Sequence, residues 1–304
     1  MSLSQPACLL CGGPAGSIVF PYGTVWDGRR FDYVRCQSCG SSFIDPLPDG
    51  DDLARMYSHS EYHSEYYQEA SEEGALTQLH AVLPLLKPGG RLLDFGCGSG
   101  SFLIAARKAG FRAEGVELEE QARRRAAAAS GCPVRSMEEL REGGGDYDVI
   151  HLGDVLEHLP EPDRAMRDLE RLLAPDGVFF VEGPIEDNAS AVFHAARLFG
   201  LIKRLARRKL HADLPPFHLI RTTARAQRRY FERRLGYVLL AFRVHESGWP
   251  YWNDGDRFLR PGSASRLARM LIGALAVGLA RIAAPLHLPI GNRFFAVARP
   301  SRPS

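Results

Sequence analysis

The chain has 304 residues, 45% of them hydrophobic and 24% charged, with a formal net charge of +2. That is ordinary soluble globular usage, enough for one large or two modest domains, and the overall charge selects no class of partner. Six cysteines are too few for a disulfide scaffold. The amino terminus, MSLSQPACLL, has no basic region ahead of an apolar core, so it predicts no signal peptide and a cytoplasmic protein.

Residues 1–44 hold short β-like runs, GSIVF and FDYVRC, and two CxxC knuckles, Cys8/Cys11 and Cys36/Cys39, separated by 24 residues. Each knuckle offers two thiolates from a tight turn, and two knuckles complete a tetrahedron around Zn2+. Gly12 and Gly40 follow the pairs, as the backbone of a knuckle requires. Four cysteines close the shell and leave no place for water, so the spacing predicts a structural zinc ribbon. Iron–sulfur ligation and two disulfides are the alternatives, and redox motifs rarely come doubled. Cys97 and Cys132 stand apart and read as packing residues.

Residues 45–86 open on DPLPDGDDL, a turn followed by a helix start, and continue as a polar, Tyr-rich helical stretch. The aromatics of MYSHSEYHSEYY, Tyr62 and Tyr66 above all, are candidates for a lid; an aromatic helix face on the core is the competing reading. From residue 87 to 184 the pattern alternates. Strands are expected at RLLDFG, AEGVEL, PVRSM, YDVIHLG and VFFVEGP, and helices at Ser101–Ala109, Glu119–Ser130 and Asp163–Leu173. Such alternation predicts an α/β fold: a Rossmann-like doubly wound sheet, mostly parallel with its last strand antiparallel. Residues 185–236 predict a helical, basic insertion roofing the substrate. Residues 237–304 predict closing strands, YVLLAFRVH and RFFAVAR, around a helix. The apolar run MLIGALAVGLA is too short to span a bilayer. It predicts a buried helix on the sheet in preference to a membrane-surface anchor.

The loop after the first of these strands reads Asp94-x-Gly96-x-Gly98-x-Gly100. A dinucleotide fingerprint needs a third glycine at position 101, which is Ser101, and a P-loop needs a lysine that is missing. A carboxylate at Asp94 would repel a pyrophosphate and attract an ammonium. Glu117 ends the next strand, where a carboxylate can accept both ribose hydroxyls. Adenosine, an amino acid and no phosphate describe S-adenosylmethionine.

LLDFGCGSGSFL, GVELEE, YDVIHLGDVLEHLPEP and LLAPDGVFFVEGP, in this order and spacing, resemble the successive motifs of class I S-adenosylmethionine-dependent methyltransferases. The resemblance implies that Gly96, Cys97, Gly98 and Gly100 line the methionine moiety, that Asp94 holds its ammonium and that Glu117 binds the ribose. It sets Leu118, Met137 and Glu138 around the adenine, with Met137 where the family often has Asp. Gly153 and Asp154 complete the cofactor-binding set. The CxxC pairs ahead of IDPLPDGDDLARMYS resemble bacterial methyltransferases with an amino-terminal zinc ribbon, many of them from sugar, surface-polysaccharide or natural-product pathways. Sugar C-methyltransferases of that kind carry a further carboxy-terminal domain that this chain is too short to hold.

Methyl transfer to oxygen, the default acceptor, asks for a base. His158 in DVLEHLPEP is the first candidate and His218 in PPFHLI the second. Between Arg197 and Arg234 lie twelve basic residues against two acids, Asp213 and Glu232. They predict an anionic small-molecule or glycan-precursor substrate, with contact to a membrane surface as a further use. RNA modification is the alternative from another class, and a non-catalytic zinc-ribbon interaction protein a third. The acidic residues of 49–73 speak against RNA, and the Asp94/Glu117 pair against the third.

Overall fold

In the hairpin of β1 (Ala15–Trp26) and β2 (Arg29–Cys36), Trp26 faces Arg29 across the Asp27-Gly28 turn. Both turn residues have positive φ, 50° and 69°, the conformation a two-residue hairpin needs to match the strand twist. β3 (Ser42–Asp45) pairs antiparallel with β2. The computed structural model describes residues 6–58, 72–206, 210–247, 264–283, 286 and 288–301.

α1 (Gly50–Ser58) starts at Asp49, whose carboxylate accepts from the Asp52 amide at 2.8 Å. α2 is Glu72–Val82. Tyr62 and Tyr66 lie outside the described residues. The alternating segment follows: β4 (Arg91–Phe95), α3 (Ser101–Lys108), β5 (Arg112–Val116), α4 (Glu120–Ser130), β6 (Val134–Arg135), α5 (Met137–Glu142), β7 (Tyr147–Gly153), α6 (Pro162–Glu170) and β8 (Leu173–Pro184). The expected third helix stops at Glu170, because β8 begins at Leu173, well ahead of the VFF run. Then come α7 (Ala191–Leu205), β9 (Ile220–Arg221), α8 (Ala224–Arg229), β10 (Tyr237–His245), α9 (Ala264–Ala283) and β11 (Arg293–Pro300).

A seven-stranded sheet has the order β10-β11-β8-β7-β4-β5-β6. Its β5–β6, β4–β5, β4–β7 and β7–β8 pairs are parallel. Consecutive residues of these strands are buried, Leu92 and Leu93, Val149 and Ile150, Phe179 to Val181, as strands covered on both faces must be. Successive strands run outward from β4 on one side and from β7 on the other, so the order reverses between them. That reversal opens a crevice at the carboxyl ends, where such sheets bind ligands.

The chain clusters into two compact units: Met1–Leu47, Gly183–Tyr230 and Phe242–Phe295 form one, and Pro48–Glu182, Phe231–Ala241 and Ala296–Ser304 the other. In the first, a second sheet has the order β1-β2-β3-β9. The segment expected to be a helical insertion thus gives a strand to the amino-terminal sheet, Phe43 pairing with Ile220 and Ser42 with Arg221. Two residues are too few to leave a periodic pattern in sequence.

α9 departs from the expected buried helix. Ala276 and Ala280 are buried, while Leu271, Leu275, Leu279 and Ile282 are exposed. No helix among the described residues is long and apolar enough to cross a membrane.

Candidate active site and four-cysteine centre

The carboxyl ends of β4, β5, β6 and β7 meet at a cavity of about 300 Å³. Eight of the expected residues line it: Gly96, Gly98, Glu117, Leu118, Met137, Gly153, Asp154 and His158. Leu53 and Tyr57 of α1 also line it, and only the structure brings them there.

The glycine loop is held by the next strand. The amides of Gly96 and Cys97 both donate to the Val116 carbonyl, at 2.8 and 3.0 Å. Gly96 has φ +78°, and a Cβ there would sit 2.7 Å from Val155 Cγ2. Glu117 is buried, and its carboxylate accepts from the Gly98 amide at 3.0 Å and the Leu118 amide at 2.7 Å. These bonds fix it against the loop. Asp154 sits at φ 53°, unusual without a glycine and the kind of backbone strain that concentrates at functional sites.

Among the described residues, Asp94, Cys97, Gly100 and Glu138 do not line the cavity. Gly100 is where α3 meets α4: a Cβ there would lie 3.2 Å from the Ala126 Cα. Cys97 is buried against Gly115, whose missing Cβ leaves room for the Cys97 sulfur. Glu138 is exposed in the first turn of α5. Asp94 is buried; its Oδ1 lies 2.7 Å from His151 Nδ1, and its Oδ2 has no protein partner. An orphaned buried carboxylate oxygen next to a glycine loop suits the ammonium of an amino-acid cofactor.

His151 is the residue sequence reasoning missed. Its ring stacks on Phe102 of α3, and its Nε2 is 3.5 Å from Glu182 Oε1. Burial by itself would pull its pKa down. The Asp94 charge and hydrogen bond, with Glu182 beyond, overcome that and push it up to about 9. The available signal was a lone imidazole inside the apolar run VIHL, since a buried ring nitrogen must find a partner.

His158 stands on the short turn after β7, half-buried, with Nδ1 3.0 Å from the Tyr57 hydroxyl and Nε2 3.9 Å from Glu157 Oε1. His218, in the other unit, has Nδ1 3.1 Å from Glu186 Oε2, and its carbonyl accepts from the Tyr33 hydroxyl.

The four knuckle sulfurs all lie within 4.8 Å of one another. Cys8 and Cys39 are 3.8 Å apart and Cys11 and Cys36 3.5 Å. Bonds of about 2.3 Å to a tetrahedral zinc put sulfurs about 3.8 Å apart. Gly12 and Gly40 have φ +73° and +79°, and the Ser38 and Cys39 amides point at Cys36 Sγ from 3.4 and 3.5 Å. No cysteine is in a disulfide.

A family model described as a methyltransferase domain matches residues 67–271. The chain belongs to that family. Its relatives include ubiquinone biosynthesis O-methyltransferases. The one from Bordetella avium is 34% identical over 36% of this chain and 53% of its own length. The one from a Caulobacter strain is 35% identical over 31% and 40%. This methyltransferase-domain chain therefore spans about half the length, or less, of these relatives. Among solved structures, coclaurine N-methyltransferase bound to N-methylheliamine and SAH aligns over 84% of this chain and 81% of its own, at 15% identity and a TM-score of 0.47.

Proposed function

We propose that the chain is an S-adenosylmethionine-dependent O-methyltransferase acting on a small molecule, with a structural zinc ion held by Cys8, Cys11, Cys36 and Cys39. The observation that carries the reading is the cavity at the carboxyl ends of β4 and β5, with the Glu117 carboxylate on its wall and His158 on the same lining. The O-methyltransferase activity named for the relatives favours oxygen as the acceptor.

When bound, the cofactor supplies an electrophilic methyl group on a sulfonium. The chain's own residues do the rest. Glu117, locked by two loop amides, offers its carboxylate to the ribose hydroxyls. Asp94 presents Oδ2 to the ammonium, while Oδ1 stays with His151. Met137 and Leu118 give apolar walls to the adenine. His158 is the base. With Nδ1–H donating to the Tyr57 oxygen, Nε2 would keep its lone pair and take the proton of the substrate hydroxyl. Four thiolates around zinc leave no open position, so that ion stabilises the ribbon and takes no part in the chemistry.

His158→Ala should lower kcat by about 10²–10⁴-fold and leave calorimetric affinity for S-adenosylmethionine within a factor of about two. Full turnover in this variant would remove His158 as the base. Undetectable S-adenosylmethionine binding by the unaltered protein would overturn the methyltransferase reading.

A further inference from the structure

α7 and α9 pack against each other, and each is built inside out. Among the described positions of α9, Gly273, Ala276 and Ala280 are buried. Leu271, Leu275, Leu279 and Ile282 face solvent. On α7 the buried positions are Val192 and Gly200, the latter so close to Pro21 that a Cβ would sit 2.4 Å from the ring. Leu198, Phe199, Leu201, Ile202 and Leu205 face solvent. All nine large side chains are between 45% and 75% exposed. A helix at the surface of a globular domain normally does the reverse, with leucines inward and small or polar residues outward. Exposed apolar stripes of this kind mark a contact site.

The charges around these side chains select the occupant. Neither helix contains Asp or Glu. Arg197, Lys203 and Arg204 lie over the rings of Phe193, Phe199 and Phe20, and have no acidic partner among the described residues. Arg281 is exposed beside Ile282. Two other arginines of the basic stretch are paired instead, Arg221 with Glu186 at 3.0 Å and Arg234 with Asp163 at 2.6 Å. Positive charge thus lies on the same two helices as the exposed leucines. A second copy would bring the same cations onto themselves across a two-fold axis. A polyanion such as RNA would satisfy the arginines and leave the leucines in water. An anionic bilayer takes both, apolar side chains at the acyl boundary and guanidinium groups among the headgroups.

We propose that the α7–α9 face docks on an anionic lipid bilayer, with Leu198, Leu205, Leu275 and Leu279 entering it and Arg197, Arg204 and Arg281 at the headgroups. The proposal is independent of the methyl-transfer reading.

The test is sedimentation of the full chain with vesicles of phosphatidylglycerol and phosphatidylcholine, beside vesicles of phosphatidylcholine alone. Sedimentation with the first, release by salt, and little with the second is the expected result. Arg197→Gln and Arg204→Gln should each lower the partition about fivefold. Leu275→Ser with Leu279→Ser should lower it at least about tenfold. All four positions are exposed, so unfolding midpoints and S-adenosylmethionine affinity should not move; these readouts separate loss of docking from loss of fold or cofactor site. Equal partition into both vesicles, none into either, or variants that bind as well as the unaltered chain would each overturn the proposal. So would a dimer by light scattering that the double leucine variant abolishes, which would give the face to a second copy.

Discussion

His151 shows how one side chain can serve a site it does not line. Its imidazole is buried between two carboxylates, 2.7 Å from Asp94 and 3.5 Å from Glu182, and is held flat by Phe102. Its folded pKa, about 9, lies above the ordinary histidine value. The proton is therefore held more tightly by the folded chain than by the unfolded one. The linked stability is full below the unfolded pKa near 6.5 and is lost as pH rises through about 9. It amounts to about 3 kcal/mol in all. Urea unfolding measured from pH 6 to pH 10 should show this decline. His151→Asn should lower stability at pH 6 and flatten the slope above it; a slope that persists in the variant would assign it to another group. Glu117 and Asp94 were legible as carboxylates at strand ends. The partner that divides the work between the two Asp94 oxygens was not, because pairing across parallel strands is a property of register, Asp94 facing His151.

At the scale of elements, the loop between β4 and α3 is the most demanding piece of backbone. Gly96→Ala would force a Cβ into a left-handed residue and against Val155. A destabilisation of about 2–4 kcal/mol is expected, with loss of S-adenosylmethionine binding that exceeds the loss of fold. A variant with normal affinity by calorimetry would show that the loop can yield without harm. β4, β7 and β8 were readable from sequence because a strand covered on both faces carries an unbroken apolar run, Leu92–Leu93, Val149–Ile150 and Val178–Val181. The Asp27-Gly28 turn is equally readable, since Asp-Gly is the usual pair for a two-residue hairpin. α9 was misjudged for a physical reason. Helical periodicity reveals that Leu271, Leu275 and Leu279 share a stripe, and is silent on whether protein or another medium meets it. The decisive clue was the opposite stripe of Gly273, Ala276 and Ala280, small enough to let a neighbouring backbone approach.

At the scale of the whole molecule, the chain joins a family-wide cofactor fold to a cysteine-bearing sheet. If zinc closes that sheet, the purified protein should carry one zinc per chain by elemental analysis and lack the visible absorbance of an iron–sulfur cluster. Chelation should lower the unfolding midpoint, since binding energy at such sites is folding energy. A midpoint unmoved by complete removal of the ion would refute the structural role. The sequence by itself determined the class of fold, the glycine loop with its two strand-end carboxylates, and the two CxxC knuckles. Each is a local pattern in which spacing along the chain sets the chemistry. Only the tertiary structure decided that Ile220–Arg221 completes the amino-terminal sheet, that Tyr57 reaches His158, that His151 sits between Asp94 and Glu182, and that two helices turn their leucines outward. These depend on strand order, register and which face of an element is covered, and residues far apart in sequence settle such matters only when they pack.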